Sequence, residues 1–124
     1  MANAQFADIG KAFVTHYYQT FDTNRQELQH LYQEGSLMTF ETEQFQGMQG
    51  IMTKLMALPF QSVQHQTTTI DSQPSESNGI VVFVTGNMAI NGDAANPTKF
   101  AQTFILLPTA AGSWYIHNDI FHTA

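Results

Sequence analysis

The chain falls into two halves with different hydrophobic periods. In the first, Phe6, Ile9, Phe13, Tyr17 and Phe21 recur at helical spacing and form one apolar stripe, predicting a helix over residues 3–21. Asn3 is its expected N-cap. Thr23 and Gln26 form a capping-box pattern ahead of Leu28 and Leu31, so a second, short helix is expected after Asp22. A third should run from about Gly47 to Ala57 with Ile51, Met52 and Leu55 inward. Pro59 disfavours helical geometry at Leu58 and ends it there. Between these helices, Leu37-Met38-Thr39-Phe40 reads as the buried part of a strand over 36–42.

The second half alternates. Residues 62–71, 79–90, 99–108 and 113–122 read as four strands, joined by the polar segments "SQPSESN", "NGDAANPT" and "TAAG". Links this short favour antiparallel hairpins, because parallel crossovers need a dozen residues or more. Helices first and a mostly antiparallel sheet afterwards make an α+β architecture, with the helices packed on one face of a curved sheet. At 124 residues there is room for one domain, taken as 1–124.

Composition narrows the function classes. A hydrophobic content of 43% fits a globular protein. No apolar run reaches the ~18 residues of a membrane span, and the N-terminus lacks the pattern of a signal peptide, so a soluble intracellular protein is expected. The absence of cysteine removes disulfides, thiolate zinc sites and cysteine nucleophiles. Four Lys and Arg against ten Asp and Glu give a net charge of -6. That field opposes nucleic acid and anionic membranes, and it either favours a basic protein partner or simply keeps a small protein soluble.

Candidate chemistry is sparse. His16, His30, His65, His117 and His122 include no helical i, i+4 ligand pair, and no metal site or cofactor is expected. His117, Asp119 and Phe121 share a strand face by alternation, with His122 on the other, and a third ligand is missing. There is no Gly-x-Ser-x-Gly elbow and no phosphate-cradling glycine loop. Acid–base chemistry would need Glu41, His65 or Asp119 buried in a cavity, where their pKa values would shift. From its neighbours alone, Glu41 is equally a catalyst, an anchor for a basic partner, or a strand-end charge.

Several motifs together resemble the nuclear transport factor 2 family, its fungal members especially. They are "FVTHYYQTFD" (13–22), "LMTFETEQFQG" (37–47), "LPFQSVQH" (58–65), "DSQP" (71–74) and "NDIF" (118–121), in order over essentially the whole chain. The resemblance implies a homodimer of cone-shaped subunits, each a strongly bent sheet closed by helices around a hydrophobic cavity. It implies a non-enzymatic carrier of the GDP-bound GTPase Ran between cytoplasm and nucleus, crossing the nuclear pore by weak contacts with phenylalanine-glycine nucleoporin repeats. By the same resemblance, Phe40 lines the cavity mouth and Glu41 is the rim carboxylate that pairs with a basic group of Ran. Leu58, Val63, Met88, Ile90, Ile120 and Phe121 match the apolar lining that receives an aromatic side chain, and His65 lies close to the glutamate. Asp93 is the remaining carboxylate of a loop that reads Asn91-Gly92-Asp93 here, where the family carries two or three. Phe6 matches the aromatic residue of the nucleoporin-repeat site. One geometric problem follows: strict alternation would point Phe40 and Glu41 to opposite faces, so the strand must end or bulge between them.

Overall fold

The computed structural model describes residues 5–60 and 62–124. In chain order it contains helix α1 (Phe6–Thr23), a 3-10 helix (Arg25–Leu31), strands β1 (Tyr32–Phe40) and β2 (Glu43–Gln46), and helix α2 (Gly47–Met56). Strands β3 (Val63–Ser75), β4 (Gly79–Ile90), β5 (Thr98–Pro108) and β6 (Trp114–Thr123) follow. The six strands form one sheet in the order β2-β1-β6-β5-β4-β3. All neighbours are antiparallel except β1 and β6, which run parallel. This is the expected α+β cone.

The helix reading needed a rotation. Residues Gly10, Val14, Tyr17, Tyr18 and Phe21 form the buried face of α1, while Phe6, Ile9 and Phe13 pack partly buried beside the core. Gly10 brings α1 close against β3 and β4: a Cβ there would meet Ser72 Oγ and crowd Val82, so those side chains would have to shift. The expected Asn3 cap lies outside the described residues. Thr23 does not cap the second helix: its hydroxyl donates back to the Gln19 carbonyl at 2.8 Å, and the helix is 3-10 in form. A back-bonded threonine of this kind is the known competitor of capping.

The strand expected over 36–42 ends at Phe40, and a second strand starts at Glu43. Glu41 and Thr42 both take positive φ, 50° and 75°, and turn the chain so that Phe40 pairs with Glu43. β3 likewise outruns its reading and pairs through Pro74 to Ser75. A proline is tolerated there because β3 is an edge strand with one unpaired side.

Curvature has local causes. β3 is bulged between Thr67 and Thr69, opposite Gly86, where a Cβ would strike the Gln66 carbonyl oxygen and the Phe100 ring. β1 is bulged between Tyr32 and Leu37, and the fully buried Ser36 hydroxyl stitches it by donating to the Ile116 carbonyl at 2.5 Å. In β6 the extra residue is His117, because Leu106 faces Ile116 and Ile105 faces Asn118. That bulge breaks simple alternation: Ile116 and Asp119, three residues apart, are both buried, and regular alternation resumes with Ile120 out and Phe121 in.

Candidate functional site

The concave side of the bent sheet, α1 and the end of α2 enclose an apolar cavity. Phe40, Leu58, His65, Met88 and Phe121 line it, joined by Tyr17, Phe21, Met38, Leu55, Phe60 and Gln102. Its own side chains nearly fill it. The cavity volume is about 10 Å³, on the order of a single water. The mouth is narrowed by Phe40 stacked on Phe121, 4.8 Å between ring centroids at 14°.

Three expected lining residues sit elsewhere. Ile120 is 47% exposed on the outer face of the sheet, one residue out of phase with Asp119 and Phe121. Val63 is buried but lines the open groove between α1 and β3 rather than the cavity. Ile90 pairs with Val63 and packs at the core margin, outside the lining. Parity excludes only Ile120; Val63 and Ile90 share a face with His65 and Met88 but sit one pair further along β3 and β4, beyond the lining. Asp93 is exposed in the turn after β4, its carboxylate accepting from Asn96 Nδ2 at 3.4 Å. Asn91 and Gly92 carry positive φ there, 52° and 79°, as a tight Asn-Gly turn requires. Phe6 is half-buried in the first turn of α1, away from the cavity.

The Phe40–Glu41 problem is solved by the turn. β1 ends at Phe40, whose ring enters the cavity mouth, and Glu41 swings over the end of β6. Its amide donates to the Phe121 carbonyl at 3.0 Å. Its carboxylate accepts from the Thr123 amide at 2.6 Å and from the Thr123 hydroxyl at 3.0 Å. His122 Nδ1 stands 3.5 Å from the same carboxylate, whose side chain is 42% exposed. Positive φ at a β-branched threonine is strained, and Thr42 accepts that strain at the rim. Lys54 lies beside it, 5.4 Å from the Phe40 ring centroid and 3.2 Å from Glu43.

Beneath the cavity runs a buried polar chain. Tyr32 donates to Asp119 Oδ2 and Gln102 Nε2 donates to Oδ1, each at 2.7 Å. Tyr17 and Tyr32 share a hydrogen bond of 3.0 Å, and Tyr18 donates to Gln102 Oε1 at 2.8 Å. Burial pushes the Asp119 carboxyl up from 3.8 to about 6, against the opposing pull of these donors. The same burial, with the nearby carboxylate, raises the tyrosine hydroxyls Tyr17 and Tyr32 far above their usual range. His65 is held at the cavity wall by Asp22, which receives its amide at 2.7 Å and bonds Nδ1 at 2.6 Å. Tyr18 stacks on the imidazole at 4.7 Å. Among the described residues no group of three or more His, Cys, Asp or Glu is placed to hold a metal ion. Nor is any described helix long and apolar enough to cross a membrane.

The sequence assigns no site role to Asp22, Tyr32 or Gln102, and Tyr17 enters only as part of the apolar stripe of α1. A signal existed for Gln102, a polar residue at an inward position between Phe100 and Phe104 in an alternating strand. Asp22 and Tyr32 had none, since their partners lie far away in the chain.

Residues 9–123 match the nuclear transport factor 2 (NTF2) domain. The chain belongs to the nuclear transport factor 2 family. It is 51% identical over 119 residues to nuclear transport factor 2 of Emericella nidulans, covering 95% of this chain and 94% of that protein. To nuclear transport factor 2B of Arabidopsis thaliana it is 52% identical over 114 residues, covering 91% and 90%. The solved structure of nuclear transport factor 2 from Cryptosporidium parvum superposes with a TM-score of 0.93 at 49% identity, covering 98% of this chain and 97% of that one. Membership of the nuclear transport factor 2 family supports a role in nuclear transport, with the nucleocytoplasmic location which that role entails.

Proposed function

We propose that the chain is a non-enzymatic import carrier for GDP-bound Ran that crosses the pore by weak contacts with phenylalanine-glycine nucleoporin repeats. The observation that carries this reading is the pairing of an apolar, aromatic-mouthed cavity with a carboxylate fixed on its rim. Phe40, Leu58, Met88 and Phe121 would receive an aromatic side chain of the partner, worth ~1.5–3 kcal/mol on burial. Glu41 anchors a basic group beside it, Asp93 adds a weaker exposed charge, and His65 shapes the wall. Since the unbound cavity is nearly full, insertion requires the lining to give way. The unbranched Met38 and Met88 are suited to that. Val63 and Ile90 support the fold around the site instead of touching the guest.

Ile120 is assigned a different part. Along one row of the outer sheet face stand Phe83, Thr103 and Ile120, with Phe83 44% and Ile120 47% exposed. Alternating positions Val81 and Ile105 are half-buried on the same face. A second copy covering this face gives the homodimer. Phe6 is the contact for nucleoporin repeats.

A pull-down with Ran loaded with GDP or GTP tests the reading. Binding confined to the GDP form is expected, and Glu41→Lys should abolish it while leaving the fold intact, because truncating one partner of a desolvated charge pair costs about 2–5 kcal/mol. Equal binding to both forms, or none, overturns the carrier reading. A second reading, acid–base catalysis, draws on the Asp22–His65 pair, whose imidazole is 2% exposed against the cavity. It requires turnover of a small molecule and predicts indifference to Ran in the same pull-down.

A further inference from the structure

The rim carboxylate is not free to choose its own direction. Glu41 sits in a turn, 82 residues away in sequence from the threonine that holds both its oxygens. Thr123 is itself tied into the sheet. It pairs with Phe100 across β5 and β6, and the amide of Ala124 donates to the Lys99 carbonyl at 2.8 Å. The turn on the other side is held just as firmly, by Glu41 N–H to the Phe121 carbonyl and by the Phe40–Phe121 stack. A carboxylate on a glutamate stem has several rotamers of similar energy, and one hydrogen bond leaves rotation about that bond open. Two bonds to two different atoms of one residue remove that freedom. Each oxygen keeps a further lone pair for an incoming donor.

We propose that Thr123 is a positioning residue for Glu41, clasping the carboxylate so that its unused lone pairs face a basic group entering over the cavity mouth. This deepens the carrier reading and rests on it. The hydroxyl is the discriminating atom, because the Thr123 amide stays in place whatever the side chain. His122, the other group within reach, stands at 3.5 Å and is 48% exposed, so it offers a looser contact than the threonine. The strained backbone of Thr42 is consistent with a turn selected for where it puts Glu41 rather than for its own stability.

The test measures association of GDP-loaded Ran with the full chain, wild type against Thr123→Val and Thr123→Ser, by surface-immobilised kinetics. Valine keeps the β-branched shape and the amide but deletes the hydroxyl; serine keeps the hydroxyl. Loss of one hydrogen bond that orients the anchor should weaken binding roughly three- to tenfold in Thr123→Val and leave Thr123→Ser near wild type. In a Glu41→Gln background the same valine substitution should have at most half that effect, since coupled residues are non-additive. Thermal melting and circular dichroism of the free variants verify that the fold is retained. Wild-type binding with an unchanged Thr123→Val overturns the inference alone. So does a valine effect that persists in full when Glu41 is Gln, or one that serine fails to rescue. Wild type that ignores GDP-loaded Ran overturns the carrier reading and this inference with it.

Discussion

The buried carboxyl of Asp119 makes stability depend on pH in an unusual direction. Its pKa is raised to about 6 in the folded chain from 3.8, chiefly because burial disfavours the charged form. A raised carboxyl pKa means the folded state holds the proton more tightly than the unfolded chain does. The stabilisation is therefore fully present below pH 3.8 and is lost as pH rises through about 6. A shift of that size corresponds to roughly 3 kcal/mol between the two limits. Most paired carboxylates behave oppositely, so the sign is diagnostic. Asp119→Asn removes the titration and keeps a plausible bonding pattern: the amide oxygen still accepts from Gln102, and the amide nitrogen donates to Tyr32, whose hydroxyl then turns toward Tyr17. Urea denaturation of both proteins, at one protein concentration, should be followed from pH 4 to pH 7.5. The wild type should lose roughly 2.5 kcal/mol relative to the variant across that range, because at pH 4 the unfolded chain is already partly ionised, and background groups such as the Asp22–His65 pair cancel in the difference. Parallel stability curves would refute the argument, because they would mean that Asp119 titrates alike in the folded and unfolded chains.

Three further outcomes follow from single positions. Thr42→Gly should raise stability by about 1 kcal/mol, since glycine accepts the positive φ that threonine resists; a lower denaturation midpoint would remove strain from the account of the rim. Gly86→Ala should cost at least ~1–3 kcal/mol, because the new Cβ meets a carbonyl oxygen of β3 beside the bulge, and a midpoint within error of wild type would show that the sheet relaxes there freely. Phe83→Asp should convert the proposed dimer to a monomer, read by light scattering, while circular dichroism stays unchanged; a persistent dimer would move the interface off the outer sheet face.

Element types were legible wherever the hydrophobic period ran for several turns or pleats. α1, α2 and the four late strands appear within a few residues of their expected bounds, because each buries one face against the same core. The errors share a cause. At residues 36–42 the run of apolar and polar positions continues smoothly across Glu41 and Thr42, and no Gly, Asn or Pro marks the turn. Threonine in a left-handed conformation carries no local sequence signal; the turn is held through Glu41, whose amide donates to the Phe121 carbonyl and whose carboxylate accepts from Thr123. β2 vanished from the reading for the same reason. The bulge at His117 likewise shifted the phase of one strand, which is why His117 was grouped with Asp119.

Those failures fall on the site itself, and that is informative. Where the local rules hold, as along β4, the chain is building a core. Where they fail, at the Glu41–Thr42 turn and at the inward Asp119 and Gln102, the structure accepts strain or burial of polar groups. The two departures meet in one place: the turn sets the cavity's rim, and the Asp119 chain forms its floor through Tyr17 and Gln102. Stiff rim and floor leave the middle of the wall, Leu58, Met38 and Met88, as the part able to yield. A guest ring that enters must therefore displace methionine and leucine while the carboxylate and the polar floor stay still. Replacing Met88 with the β-branched and less adaptable Ile should then slow association with GDP-loaded Ran without weakening the Glu41 contact, so that kon falls and the sensitivity to salt is kept. A drop in salt sensitivity instead would locate the flexible part of the site on the rim and not in the wall.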